Sequence, residues 1–507
     1  MSGAAGGAPV SGGWLSLRNA AVAPLAEVPR HTFPELSARV LAAVARGERV
    51  SALLGWRRSD GGAEILAVLA ADEQGWLRLA IGLVDGDEFP SLTPECPQVH
   101  LFERELAETL GLRPTGHPWL KPVRFTRPPG AAAAPTAGVM DYYRVEGEEV
   151  HEVAVGPVHA GVIEPGHFRF QCHGEEVLHL EISLGYQHRG VERALVAGDP
   201  RRRMHYAETL AGDTSVGHAI ACAQALEALS GASPSPRAEA LRGIALELER
   251  LANHTGDLGA LSGDVGFLPT AAFCGRLRGD WLNLSAELCG SRFGRGLVRP
   301  GGVGFDVDAE RAQRMRERLD AAFRDVARAT DLLWTTASVM SRFEHTGTLP
   351  AAMARELGLV GPAARACGLA RDVRASFPSG IFRFAQIARA SWDSGDVFAR
   401  AYLRWLEIQR SAAFVREQLS FLPAGALRRP VGALRPGQVC VSLVEGWRGE
   451  ICHVLRTGEA GAIAGYKVVD PSFHNWSGLA MALRGQQISD FPLCNKSFNL
   501  SYCGFGL

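Results

Sequence analysis

The 507 residues carry 53 Lys+Arg against 54 Asp+Glu, a formal net charge of −1, with 47% hydrophobic side chains. A single core usually stops growing at roughly 250–300 residues, so more than one domain is expected. The apolar content excludes disorder for the bulk of the chain, and near-neutrality argues against a nucleic-acid partner, which demands a basic face.

The glycine-rich opening MSGAAGGAPVSGGW has no basic start and no apolar stretch, so residues 1–20 read as a disordered tail and not a secretory signal. Residues 21–127 read as a small α+β domain. Strand-like runs at 64–69 and 76–84 flank the turn Asp72-Glu73-Gln74-Gly75, and a helix over 101–110 stops at Gly111. Arg127-Pro-Pro-Gly-Ala-Ala-Ala-Ala-Pro-Thr-Ala-Gly138 has three prolines and no apolar period, which makes 128–139 a linker. Residues 140–507 then open on a β-hairpin. Phe168, Phe170 and Cys172 alternate with polar residues, Gly174-Glu175 turns, and Leu178, Leu180, Ile182 and Leu184 alternate back.

Beyond the hairpin the periodicity becomes helical. Helices are expected over 216–229, after the breaker Ser233-Pro-Ser-Pro236 with Leu241, Ile244, Leu248 and Leu251 on one face, over an interruptible 308–340, and over 397–419. Gly301-Gly302-x-Gly304 reads as a tight turn. The fold class is α+β: a small N-terminal α+β domain fused to a mostly helical domain with an entrance hairpin. No stretch approaches the roughly 20 apolar residues of a membrane span. The ten cysteines are irregularly spaced without a Cys-x-x-Cys pair, which excludes a disulfide scaffold. The chain is expected on the cytoplasmic side of the cell membrane, peripheral, held by partners.

Phe89-Pro-Ser-Leu-Thr-Pro94, Phe102-Glu-Arg-Glu105 and Gly111-Leu-x-x-x-Gly-His-Pro118 resemble the 30-kilodalton-type subunit of respiratory complex I. Gly156-Pro-Val-His159, Glu164-Pro-Gly-His-Phe-Arg169 and Gly185-Tyr-Gln-His-Arg-Gly190-Val-Glu192 resemble the start of a nickel–iron-hydrogenase-type large subunit, closest to the group of the formate hydrogenlyase large subunit and the complex I catalytic subunit. Glu247-Leu-Glu-Arg250 with His254, Arg292-Phe-Gly-Arg295, Arg299-Pro-Gly-Gly302, Leu357-Gly-Leu-Val-Gly-Pro362, Arg371-Asp-Val-Arg374 and Glu445-Gly-Trp-Arg-Gly449 continue it in order.

The resemblance implies four cysteines around nickel and iron, and their positions here hold Ala211, Thr214, Ser501 and Gly504. Such a centre requires soft thiolates, so hydrogen chemistry at nickel is not expected, and no metal site is assigned. The two quinone-facing positions implied for complex I hold Ile163 and Gly212, which weakens ordinary quinone chemistry without excluding it. Residues that resemblance places at the pocket are Gly212, Thr214, Ser501 and Cys503 for an acceptor, and His159, Glu164, Asp213, His218 and Arg448 for protons or charge. The resemblance further implies an iron–sulfur small subunit that carries the cluster, antiporter-like membrane subunits, and a possible quinone.

Each residue also has a plainer reading. Glu164 is either a proton route or an exposed turn acid. Asp213 is either a proton group beside His218 or the N-cap of the next helix. Arg448 either meets an anionic ligand or steadies its loop. Cys494 and Cys503 are a thiol pair or two buried tail residues. For His188-Arg189, an ion pair with Glu192 or a neighbouring subunit is favoured. For Glu247, Glu249 and Arg250, a solvated or interface helix face is favoured. The function read from all this is electron transfer from a partner's cluster to a quinone-like acceptor without nickel. The alternative is a non-catalytic coupling subunit with a vestigial cavity.

Overall fold

The computed structural model describes residues 10–158 and 164–507. Its first sheet has six strands, with Val10–Ser11, Trp14–Leu17, Trp76–Val84, Ala63–Ala71 and Arg49–Arg57 in antiparallel order and Arg30–Thr32 parallel to Trp76–Val84. The expected tail is therefore too long. All of Trp14–Leu17 is buried against the sheet, because Trp14-Leu-Ser-Leu17 offers a hydrophobic edge that its glycine-rich surroundings obscure. Residues 1–9 lie outside the described part.

Helices Phe33–Ala45 and His100–Leu110 cover one face of this sheet. Gly55, Ile65 and Gly82 stand in one cross-strand row. A Cβ at Gly55 would meet Leu106 and Leu110, and one at Gly82 would meet Leu36 and Phe33. The two glycines thus let both helices approach the sheet closely. Thr32 and Glu35 close the first helix with a capping box, and Gly111 ends the second in the left-handed conformation at φ 68°.

Residues 116–149 contain no helix or strand, yet they strap the two sequence regions together. Lys121 pairs with Glu181 at 2.6 Å, and Arg124 reaches Glu105 and Glu192. Other ties cross between the regions. Arg49 pairs with Glu450, Lys467 with Glu105, and strand Val22–Pro24 joins the sheet of Gln438–Gly446. One contiguous apolar core runs through both.

The expected hairpin is His167–His173 with Glu176–Ser183, widened to three strands by Val150–Val155. Helices Ser215–Ser230, Pro236–Asp264, Leu268–Cys289, Ala309–Trp334 and Val397–Ser420 form the helical body, the 29-residue Pro236–Asp264 packing against its neighbours in the middle. Ser235, Asp308 and Asp396 each cap a helix by accepting a backbone N–H. The expected 308–340 helix breaks after Trp334 and resumes as Ala337–Phe343.

An antiparallel meander of Gln438–Gly446, Gly449–Thr457 and Ile463–Val469 went unforeseen. The first two strands are buried on both faces along nearly their whole length, so they lack the alternation that marks a half-exposed strand. Their connection is the two-residue turn Trp447-Arg448 between the paired Gly446 and Gly449. This turn places Arg448.

Candidate functional site

Four chain segments converge at the positions that resemblance assigns to the nickel ligands: the 208–214 turn, the 447–448 turn, the start of helix Pro471–Ala482, and residues 499–504. Asp213 does not cap the following helix. Thr214 is its N-cap without a side-chain bond, and the buried first-turn amides of Val216 and Gly217 donate instead to the carboxylate of Glu249, at 2.7 and 3.2 Å. Burial pushes Glu249 up to about 8 despite these bonds. Asp213 is thereby free to take Arg448 in a two-pronged pair at 2.5 and 2.8 Å. Arg448 also donates to the Asn499 carbonyl and to Thr214 Oγ1. Burial opposes its charge, but Asp213 more than compensates and holds the guanidinium above its ordinary pKa.

His218 is wholly buried and does not touch Asp213. Its Nε2 lies 3.0 Å from Asp470 Oδ2, its Nδ1 lies 3.1 Å from His453 Nε2, and His453 Nδ1 lies 2.8 Å from the Tyr466 hydroxyl. The Tyr466 hydroxyl is also hydrogen-bonded with Cys222. One tautomer set satisfies every link. Tyr466 O–H donates to His453 Nδ1, His453 Nε2–H to His218 Nδ1, and His218 Nε2–H to Asp470. Burial drives His453 well below its ordinary pKa, with His218 adding to the effect. Burial alone would raise Asp470, yet His218 and Arg448 keep it below the usual carboxylate value.

Asp470 fills the cradle. A Cβ on Gly504 would stand 2.6 Å from its Cγ and under 3 Å from both carboxylate oxygens. Ser501 accepts the Gly504 N–H at 2.9 Å and lies 3.4 Å from Cys503 Sγ. Tyr502 N–H donates to Glu164 at 3.2 Å. Burial, helped by Glu164, pushes the Cys503 thiol up to about 11, and the thiol is hydrogen-bonded with the Gly212 backbone.

The candidate residues Glu164, Gly212, Asp213, Thr214, His218, Arg448, Ser501 and Cys503 therefore gather in one place, whereas His159 lies outside the described residues. Glu164 is half-buried against the tail and not an exposed turn acid. Cys494 sits beside Gly347 and Arg400, apart from Cys503, and both thiols are free. His188 and Arg189 make no ion pair with Glu192. His188 bonds the tail at the Gly506 carbonyl and Arg189 bonds the carbonyls of Thr209 and Leu210 in the 208–214 turn, while Glu192 serves Lys467 and Arg124.

A second polar cluster corrects the reading of the Glu247–Arg250 face as solvated. Arg250, Arg365 and Arg374 meet Glu247, Asp372, Glu407 and Glu445, all buried. His254 adds a 2.6 Å bond to Glu407. Burial works against the Glu407 charge, but Arg365 and Arg250 hold its pKa well below the usual value. Burial and the Asp372 carboxylate push Glu445 up to about 7. With Glu445 protonated, three arginines face three carboxylates.

The sequence profile described as "Respiratory-chain NADH dehydrogenase, 30 Kd subunit" matches residues 28–136, and that of the "49 Kd subunit" matches residues 264–431. The carbon monoxide-induced hydrogenase of Rhodospirillum rubrum is 30% identical over 353 residues, 69% of this chain and 97% of that protein. The chain belongs to the complex I 49-kDa and hydrogenase large-subunit family. It carries a fused 30-kDa-type domain. Formate hydrogenlyase subunit 5 of Escherichia coli is 28% identical over 476 residues, covering 88% of this chain and 82% of its own length. NADH-quinone oxidoreductase subunit 4 of Thermus thermophilus is 28% identical over 370 residues, covering 68% and 90%.

Within this family the motifs quoted from the sequence divide between the two clusters. Glu247, Arg250, Arg374 and Glu445 build the ionic network, and Arg448 and His218 build the cradle. Sequence reasoning missed Asp470, His453 and Tyr466, and it read Glu249 as part of a solvated or interface face. Asp470-Pro471 carried a readable helix-start signal, and Asp470 does cap that helix through Ser472 N–H. His453 and Tyr466 lie on buried strands and gave no signal.

Proposed function

We propose that this chain is the large subunit of a membrane-associated oxidoreductase assembly of its family, held at the cytoplasmic side by its partners. An iron–sulfur small subunit supplies electrons, antiporter-like membrane subunits anchor the assembly, and a quinone-like molecule accepts the electrons. Family relatives are subunits of complex I-like and membrane-bound hydrogenase complexes. Among the described residues no helix is long and apolar enough to cross a membrane.

A nickel–iron centre does not fit the residues present. The four positions offer a methyl, two hydroxyls and a hydrogen atom where thiolates are needed. The Asp470 carboxylate takes the space a side chain at 504 would need. No step is routed through such a centre.

The observation that carries the reading is the continuous buried chain Tyr466–His453–His218–Asp470, ending directly beneath Gly504. Reduction of a quinone to a quinol takes up two electrons and two protons. The electrons come from the partner's cluster, and this chain's histidines and carboxylates hold and pass the protons. Glu164, bonded to the tail, lies on the hairpin side of the same cradle. The test is to purify the native complex and quantify nickel, iron and quinone together. Stoichiometric quinone with substoichiometric nickel is expected, and nickel at one equivalent per chain overturns the reading.

A specific observation favours a second reading, a non-catalytic coupling subunit. The Arg448–Asp213 pair and Asp470 close the cradle with the chain's own side chains. Undiminished turnover of the complex carrying Asp213→Ala, together with lost assembly on deleting residues 499–507, would select it.

A further inference from the structure

A cavity of about 550 Å³, within the range of small-molecule sites, opens where helix His100–Leu110, strand Glu176–Ser183 and helix Pro471–Ala482 meet. The function proposed above makes no use of it. Its apolar wall is formed by Leu101, Leu180, Ile182, Trp476, Ala480 and Met481.

The charges at its rim do not balance. Glu181 is already satisfied, by Lys121 at 2.6 Å, Trp119 Nε1 at 3.0 Å and the Tyr143 amide at 2.7 Å. Arg104 donates only to the carbonyls of Lys121 and Pro122, both at 2.8 Å, and forms no ion pair among the described residues. Arg104 is half-buried. Elsewhere Arg242, Arg365 and Arg448 each face a carboxylate, whereas Arg371 and Arg400 share its pattern of carbonyl and hydroxyl partners but do not line this cavity. Arg484, at the exposed rim, likewise lacks a carboxylate and approaches only His179. Burial pushes His100 down to about 3 and also lowers His117 and His179, so the three rings add no charge at neutral pH. The result is an apolar groove with a cationic pole.

We propose that this cavity binds an amphiphilic anion, with its apolar body along Leu180, Ile182, Trp476 and Met481 and its carboxylate or phosphate head on Arg104. A half-buried guanidinium whose hydrogen bonds go only to carbonyls, with Glu181 and Glu108 nearby but not paired to it, can still take a bidentate anion directly from the cavity. A free fatty acid and an anionic lipid share this chemistry.

The experiment titrates the full chain with dodecanoate and with dodecyltrimethylammonium, which carry the same tail and opposite heads. Binding is followed by calorimetry and by tryptophan fluorescence, because Trp119 and Trp476 line the cavity. Saturable binding of the anion alone is expected, weakened at least about tenfold in Arg104→Met and partly restored in Arg104→Lys. Equal binding of the two amphiphiles, no binding of the anion, or unaltered dodecanoate binding by folded Arg104→Met overturns the proposal. If Arg104→Met does not fold, Met481→Trp provides the second variant. Filling the apolar end should weaken dodecanoate binding, and unaltered affinity counts against the site. Capture of the chain by phosphatidylglycerol nanodiscs but not phosphatidylcholine nanodiscs identifies a lipid source, whereas dodecanoate binding without capture identifies a free acid.

Discussion

The two buried polar clusters meet at the 447–448 turn, yet they are made of different chemistry. Glu445, in one, lies just before the turn, and Arg448 and His453, beside the other, lie at and after it. Around Glu407 the cations are arginines, which remain charged at any accessible pH, and each is committed to carboxylates or backbone carbonyls. Around His218 two histidines, a tyrosine and a carboxylate are hydrogen-bonded end to end, so a proton supplied from outside at one end can be handed along the line, whereas taking it from Tyr466 itself would leave a buried tyrosinate. The first cluster fixes how the helices and the meander sit together. In the function proposed above, the second hands protons on. An arginine-rich scaffold that holds one readily titrated carboxyl, Glu445, beside a hydrogen-bonded line of histidines suits the proton-coupled redox role proposed above.

The sharpest way to break this contrast is to remove one permanent charge. Arg365→Met strands Glu407 and Glu445 in a dry interior, and breaking a buried pair from one side costs about 3–5 kcal/mol. Chemical denaturation of the purified chain should show a loss of that size, or no folded protein. A loss below about 1 kcal/mol would mean that the network is no scaffold.

The pH dependence of stability comes next. Glu249 at about 8 and Glu445 at about 7 both stand above the ordinary 4.5. A carboxyl whose pKa is raised by folding stabilises the native state fully below its unfolded value, and that contribution is lost as pH rises through the folded value. Melting temperature should therefore fall between about pH 4.5 and about pH 8 and level off above it, by an amount reflecting a few kcal/mol. Glu249→Gln, which mimics the protonated group, should flatten the fall, and an unchanged slope in that variant would remove Glu249 from the account.

These groups also show where sequence reading stops. The strands at 64–69 and 76–84, the helix before Gly111 and the entrance hairpin were legible because turn residues and period-two alternation are local signals. The Glu247–Arg250 face looked solvated because its partners, Arg374, Glu407 and Glu445, lie more than a hundred residues further along the chain. Asp213 looked like a helix cap because Asp213-Thr-Ser215 is what a cap looks like locally. Glu249 performs that task from another helix. The described candidate residues lie together, but Asp470, the group that fills their midst, had no local mark beyond a helix start.

Between the two clusters in expected effect stands Gly504→Ala. The added methyl lands on the Asp470 carboxylate, where overpacking costs typically about 1–3 kcal/mol. Displaced Asp470 should also release His218 Nε2, visible as a shifted imidazole nitrogen resonance. A stable variant with an unshifted His218 signal would mean that the cradle is not filled as described.

The smallest change in stability should come from the relay itself. Tyr466→Phe removes one hydroxyl and leaves the His453 Nδ1 and Cys222 thiol without that partner, a loss of about 1 kcal/mol for a neutral hydrogen bond. The chain should fold and assemble. If the relay serves only packing, turnover of the complex should follow this small loss. If it carries protons to the cradle, turnover should drop far more than stability and the drop should depend on pH, since the remaining histidines must then exchange protons by another route. Measuring both quantities on one variant separates a site that merely holds its shape from one that changes protonation as it works.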